Sequence, residues 1–177
     1  MIPRETKDWT FVLERPCPEC GLDVRSIPPE TVAVRLREVA AGWRGVLTGP
    51  GQLGIRPAPT VWAPVEYACH VRDVCRIFHS RLQLMLTEDD PLFPNWDQDQ
   101  AAEDGRYLAQ EPRQVASELG AAAEVLAAAF DQVAGAQWDR TGTRSDGAHF
   151  TVRSFARYLL HDVAHHLYDV TGPSTRR

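Results

Sequence analysis

The stretch Phe155-Ala156-Arg157-Tyr158-Leu159-Leu160-His161-Asp162-Val163-Ala164-His165-His166-Leu167-Tyr168-Asp169-Val170 decides how this chain is read. It holds no Gly or Pro, and Leu159, Val163, His166 and Val170 recur at helical spacing. On a helix, His161 and His165 stand at i and i+4, roughly 6 Å apart along one face. Two imidazoles at that separation can share one divalent ion. Taken alone, the pair is explained as well by two solvated histidines on a polar face. Both project away from the apolar stripe, beside Ser154, Tyr158 and Tyr168, so any site they form is expected to be partly open.

His161-Asp162-x-x-His165 invites comparison with the His-Glu-x-x-His helix of zinc proteases, and the comparison fails. Asp162 is one methylene shorter than the Glu that serves there as general base. A third ligand downstream is also missing, since no His follows His166. Any third ligand comes from upstream, from His70, His79, His149 or a cysteine. Phasing at 100° per residue puts His79 among Arg72, Arg76 and Gln83, a solvated face. His70 falls beside Tyr67, Val74 and Ile77, with Glu66 and Asp73 one turn away to orient a ligating ring. A helix-flank histidine bonded to either carboxylate fits His70 equally. His149 reads as a loop residue.

Around these residues the chain organises as helices. Glu30 to Leu47 carries Val32, Leu36, Val39, Trp43 and Val46 on one stripe, after Pro28-Pro29. Thr48 to Pro64 is too rich in Gly and Pro to be helical throughout. Val65 to Leu86 forms a second helix, with Pro64 suited to its first turn. A connection from Thr87 to Glu111 follows, long enough to serve as a lid or site wall, with Phe93, Trp96 and Tyr107 available to pin it. Pro112 to Ala134 is a third helix. Ser145-Asp146-Gly147 signals a turn closing a short hairpin, and Thr151 is placed to cap the last helix. The fold expected is all-α: a four-helix bundle with long connections over residues 30–172, an irregular N-terminal arm over 1–29 and a tail at 173–177.

Composition narrows the function classes. The 177 residues suffice for one core without staples, and 44% apolar with 24% charged residues is ordinary for a globular protein. Net charge is −5, which argues against a nucleic-acid surface. No apolar run approaches a membrane span and no signal peptide is evident, so the expected place is the cytoplasm, with four reduced cysteines. Lys7 is the only lysine beside many arginines, a bias of high-GC bacterial genomes.

Together, Trp62-x-x-x-Glu66-x-x-x-His70-x-x-Asp73 and His161-x-x-x-His165 resemble the DinB-like (YfiT-related, damage-inducible) metalloprotein superfamily, over roughly Glu30 to Val170. The resemblance implies a four-helix bundle with an unusual connection order. It implies a divalent metal, zinc or nickel, on three histidines matched here by His70, His161 and His165; Glu66, Asp73 and Asp169 are the candidate carboxylates to support them. It further implies a thiol S-transferase that uses mycothiol or bacillithiol on small electrophiles; a homodimer is compatible with it. Two other classes stay open. One is a metal-dependent hydrolase with Asp73, Asp162 or Asp169 taking the proton. The other is a non-catalytic metal- or redox-responsive binding module.

Cys17-Pro18-Glu19-Cys20 in the arm departs from the family pattern. It looks like one knuckle of a zinc ribbon, which calls for a second Cys-x-x-Cys, and Cys69 and Cys75 do not form one. Three readings order themselves: an incidental loop pair, then a redox dithiol, then a zinc knuckle completed by a partner chain. Cys69 and Cys75 read as small core residues. Asp97 and Asp99 read as solvated carboxylates, or as the mouth of the metal pocket.

Overall fold

The computed structural model describes residues 2–172, so the tail expected at 173–177 lies outside the described residues. Four long helices build the body: α1 (Val32–Thr48), α2 (Pro64–Thr87), α4 (Pro112–Asp131) and α5 (Val152–Thr171), with a short α3 (Gln98–Asp104) between α2 and α4. Local chemistry sets their starts. Pro64 and Pro112 occupy first-turn positions, where the missing N–H costs nothing. Glu66 reaches back to accept from the Ala63 amide, and Glu111 accepts from the Gln114 amide. Thr151 caps α5, accepting from the Ser154 amide while Ser154 Oγ accepts from the Thr151 amide.

Each of α1 and α2 packs against both α4 and α5, whereas α1 and α2 touch each other little. The pairs α1/α2 and α4/α5 therefore lie across the diagonals, and the paths that join them have to be long, whereas α2 and α4 are neighbours. Leu36, Trp43, Leu82, Met85, Leu119, Leu126 and Leu159 fill the space between, and Phe78 stacks on Phe155 with ring centroids 4.4 Å apart.

α2 is buried well beyond its apolar stripe: His70, Arg72, Cys75 and Arg81 are covered too. The covering layer is the connection after it, which is less irregular than its Pro and Asp content suggests. Asp97 caps α3 by accepting from the Asp99 and Gln100 amides. Phe93 and Tyr107 are sunk in the core. The turn at Ser145-Asp146-Gly147 closes a hairpin of β1 (Thr141–Thr143) and β2 (His149–Thr151), and the Phe93 amide donates to the Thr143 carbonyl.

The arm coils through 3-10 turns at Trp9–Leu13, Val24–Ser26 and Pro29–Thr31, each packed on α5. Val12, Val24 and Ile27 are its buried anchors. The arm thus lies over the histidine face of α5, which sequence periodicity leaves open to solvent.

Candidate metal centres

Two clusters of ligating side chains meet α5 on adjacent faces. The first joins His70, Asp162 and His166; the second joins Cys17, Cys20, His161 and His165, and within each the donor atoms lie within 4.8 Å of one another. One physical fact separates them. A helix turns about 100° per residue, so the pair 161/165 and the pair 162/166 point in directions about 100° apart. The 162/166 pair faces α2 and the 161/165 pair faces the arm.

In the first cluster Asp162 Oδ1 lies 3.6 Å from His70 Nε2 and 3.8 Å from His166 Nε2. These separations are close to the edge of a coordination polyhedron with metal–ligand bonds of about 2.1 Å, roughly 3.4 Å when tetrahedral. Asp162 Oδ1 and His70 Nδ1 are buried without a hydrogen-bond partner. An orphaned carboxylate oxygen aimed between two imidazoles is costly in a folded chain, and a cation there removes the cost. His166 Nδ1 bonds Asp169 Oδ2 at 3.0 Å, which fixes its ring and aims Nε2 at Asp162. The donor set fits a divalent ion with three protein ligands and an open side.

Aromatic rings wall this cluster. Trp96 stacks on His70 at 5.6 Å, Trp62 lies 5.5 Å from the same ring, and Tyr67 lies 5.3 Å from His166. A cavity of 80 Å³ under Glu5 and Trp9 of the arm reaches Asp162 and His166, and it also touches His161 and His165. A larger cleft of 490 Å³ opens from Asp162 past Trp96, Tyr158, Arg81 and Arg144.

Charge in the first cluster favours a cation. Burial pushes His70 below the usual histidine range, so it is neutral, the state a ligand needs. Burial disfavours ionised Asp162, but the His70 ring 3.6 Å away and the neighbouring imidazoles outweigh it and hold the carboxyl below its ordinary value. For His166, burial is outweighed by Asp169 and Asp162, and its pKa rises.

In the second cluster Cys17 Sγ lies 3.7 Å from His165 Nδ1 and Cys20 Sγ lies 3.8 Å from His161 Nε2. All four side chains are buried, with at most 5% of any residue exposed. Trp9 covers both imidazoles, at 5.5 Å from His161 and 4.9 Å from His165. Burial lowers both histidines, His161 to about 4. The expectation of a partly open site at His161 and His165 is therefore corrected: the arm, which carries no strong periodicity of its own, closes over them.

The expected set of His70, His161 and His165 is divided between the two clusters. His161 and His165 come together as the i, i+4 spacing requires, while His70 meets the next pair along the helix. Sequence reasoning missed Asp162 and His166 as donors, because His166 also fits the apolar stripe. The signal was present in His161-Asp162-x-x-His165-His166, two i, i+4 pairs in successive registers.

Of the supporting carboxylates, only Asp169 touches a clustered histidine: besides His166, its Oδ1 lies 3.5 Å from His165 Nε2. Glu66 is bound by Arg56 and the Ala63 amide, and Asp73 by Tyr107, Arg72 and Arg76, so neither orients His70. Cys69 and Cys75 are buried small residues whose thiols burial pushes up to about 12, out of reach of nucleophilic use. His79 is half-buried and belongs to neither cluster; His149 pairs with Thr143 on the hairpin. Asp97 and Asp99 sit at the cleft mouth, where both meet Arg4. No helix among the described residues is long and apolar enough to cross a membrane.

The sequence matches no curated protein. Among solved structures it is similar to YfiT from Bacillus subtilis, described as a probable metal-dependent hydrolase with an unusual four-helix bundle topology. The TM-score is 0.72 at 20% identity, over 84% of this chain and 86% of that one. The four-helix bundle described above matches that fold. The sequence profile of the DinB superfamily matches residues 29–170, which takes in α1 to α4 and α5 up to Val170, with His161, Asp162, His165 and His166, and the chain belongs to that superfamily.

Proposed function

We propose that this chain is a metal-dependent S-transferase that joins a low-molecular-weight thiol, mycothiol or bacillithiol, to a small electrophile. Its reactive centre is the open donor set His70, Asp162 and His166. A divalent ion such as zinc or nickel, held there, would lower the pKa of a thiol or water sharing its open side.

The observation that carries the reading is the state of the surrounding carboxylates. A thiol beside such an ion ionises without a protein base, whereas water activation in His-and-carboxylate zinc hydrolases relies on a free Glu or Asp. Of the carboxylates on α2 and α5 expected to support the site, Asp169 is bound by His166, Asp73 by Tyr107 and Arg72, and Glu66 by Arg56. The cleft supports it as well. Arg81 and Arg144 offer cationic sides to an acidic group on the thiol or the electrophile, and Trp96 and Tyr158 offer flat faces.

Hydrolysis is the second reading, favoured by Glu5. That residue lines the small cavity beside Asp162 and His166, and its carboxylate is tied only to the Lys7 amide among the described hydrogen bonds. In the hydrolase, Glu5 takes the proton from water.

Zinc- or nickel-loaded protein incubated with each thiol and a panel of electrophiles, beside an ester and amide panel without thiol, separates the two. Metal-dependent conjugation that falls in Asp162→Ala and His166→Ala is expected. Thiol-independent hydrolysis that falls in Glu5→Gln overturns the transferase reading for the hydrolase, and no turnover with any pairing overturns both.

A further inference from the structure

We propose that Cys17, Cys20, His161 and His165 form a second, closed metal centre, a tetrahedral zinc site that ties the N-terminal arm to α5. It is separate from the donor set assigned above to catalysis and shares no ligand with it.

Geometry is the first support. Zinc with sulfur at about 2.3 Å and nitrogen at about 2.05 Å has tetrahedral S–N edges of roughly 3.5 Å. The two thiol–imidazole separations are 3.7 and 3.8 Å, on opposite pairings of the four residues. Four donors converging from two elements leave no open position, which is the mark of a structural site.

The donor chemistry agrees. Two thiolates and two neutral imidazoles cancel the charge of a divalent ion, so the complete centre is neutral and suits burial. Sulfur with nitrogen selects zinc over the harder cations. Sequence spacing agrees too: Cys-x-x-Cys and His-x-x-x-His are the two halves of a Cys2His2 centre, here held 141 positions apart between Cys20 and His161. The chain supplies from its own last helix what the knuckle in the arm lacks.

The supporting shell is the third observation. His165 presents Nδ1 to Cys17, and its other nitrogen lies 3.5 Å from both Glu19 Oε2 and Asp169 Oδ1. Ligating histidines generally carry such a carboxylate on the distal nitrogen, which fixes the tautomer. Glu19 sits between the two cysteines, so the arm brings ligands and support together. Lys7 Nζ pairs with the other oxygen of Glu19 and lies 3.8 Å over the Trp9 ring, and Trp9 roofs both imidazoles.

A redox dithiol is the competing role for Cys17 and Cys20, and one set of measurements decides. Zinc-loaded parent protein is expected to bind about two ions per chain, and its zinc absorption fine structure to contain sulfur neighbours at about 2.3 Å. Cobalt substitution is expected to give sulfur-to-metal charge-transfer bands in the near ultraviolet. Cys17→Ser with Cys20→Ser should remove about one equivalent and all the sulfur signal. His70→Ala with Asp162→Ala should remove the other equivalent and leave the sulfur signal whole, which separates failure here from failure of the catalytic reading. Zinc in the parent with only nitrogen and oxygen neighbours overturns the proposal without recourse to any variant. So does alkylation of Cys17 and Cys20 at equal rates with and without zinc.

Discussion

Asp169 is the residue on which both centres lean. One oxygen bonds His166 of the open cluster at 3.0 Å and the other lies 3.5 Å from His165 of the closed one. Asp169→Asn keeps one carbonyl oxygen but replaces the second acceptor with a donor, so it cannot serve two imidazole N–H groups. Loss of such a partner typically weakens metal binding by about 10–100-fold. Competition with a chelator of known affinity should show that loss at both centres, while thermal unfolding of the fully loaded protein moves little. A loss confined to one centre would show that the two carboxylate oxygens do not act together. The same residue shows what the sequence discloses at this scale. His161 and His165 are legible as a pair from spacing alone, and Asp169 from its distance to them. Which of two successive registers faces α2 is a difference of one residue, and apolar spacing does not resolve it when His166 occupies an apolar position.

At the scale of elements, the long connection and the hairpin are what turn a plain bundle into a walled site, and each is held at one identifiable point. Asp73 on α2 accepts from Tyr107 Oη at 2.5 Å and from the Arg72 and Arg76 guanidinium groups. Burial opposes its ionisation, but the Arg72 and Tyr107 bonds outweigh burial and hold its pKa below the ordinary carboxylate value. A group whose folded pKa is depressed contributes stability above its unfolded pKa of about 3.9 and loses that contribution as pH falls through the folded value. The stability gap between the parent and Asp73→Asn in urea titrations should therefore be full near neutrality and shrink as pH falls below about 4. A gap that grows on acidification would refute the assignment. The hairpin is held by Gly142, where a Cβ would lie 2.5 Å from Phe93 Cζ and 2.9 Å from Met85 Cγ. Both neighbours are buried, so Gly142→Ala should cost about 1–3 kcal/mol by overpacking, read as a fall in the denaturation midpoint. The turn before β2 was readable from Ser145-Asp146-Gly147. The close crossing of Gly142 over Phe93 was not, since it joins residues 49 positions apart that share no local pattern.

For the molecule as a whole, the bundle and the arm rest on different forces. Periodicity exposed the bundle because each helix buries its own stripe: Leu36 and Trp43, Leu82 and Met85, Leu119 and Leu126, Phe155 and Leu159. Among its described residues the arm has Val12, Val24, Ile27 and Pro29 as deep apolar anchors, and its three 3-10 turns are short. Beyond these it is held by the half-buried Trp9, Phe11, Leu13 and Leu22, by the bond from Arg157 Nε to the Ile27 carbonyl and by the four-residue cluster, a tie made of chemistry rather than period, which is why its docking over the histidines escapes a reading by apolar spacing. Removal of metal should therefore release the arm and spare the bundle. Arg25 is exposed and followed by Ser26, an open site for trypsin once the arm moves. Chelator-treated protein should be cut after Arg25 many times faster than the zinc-loaded protein, while far-ultraviolet circular dichroism keeps most of its helical signal. Zinc alone should restore resistance in the parent and fail in Cys17→Ser with Cys20→Ser. Because Glu5 and Trp9 of the arm roof the cavity at Asp162 and His166, release should also change binding at the open centre. The cysteine variant should then show a raised KM for substrate with its metal at His70, Asp162 and His166 retained, and equal KM values would mean that the arm closes over the site without forming part of it.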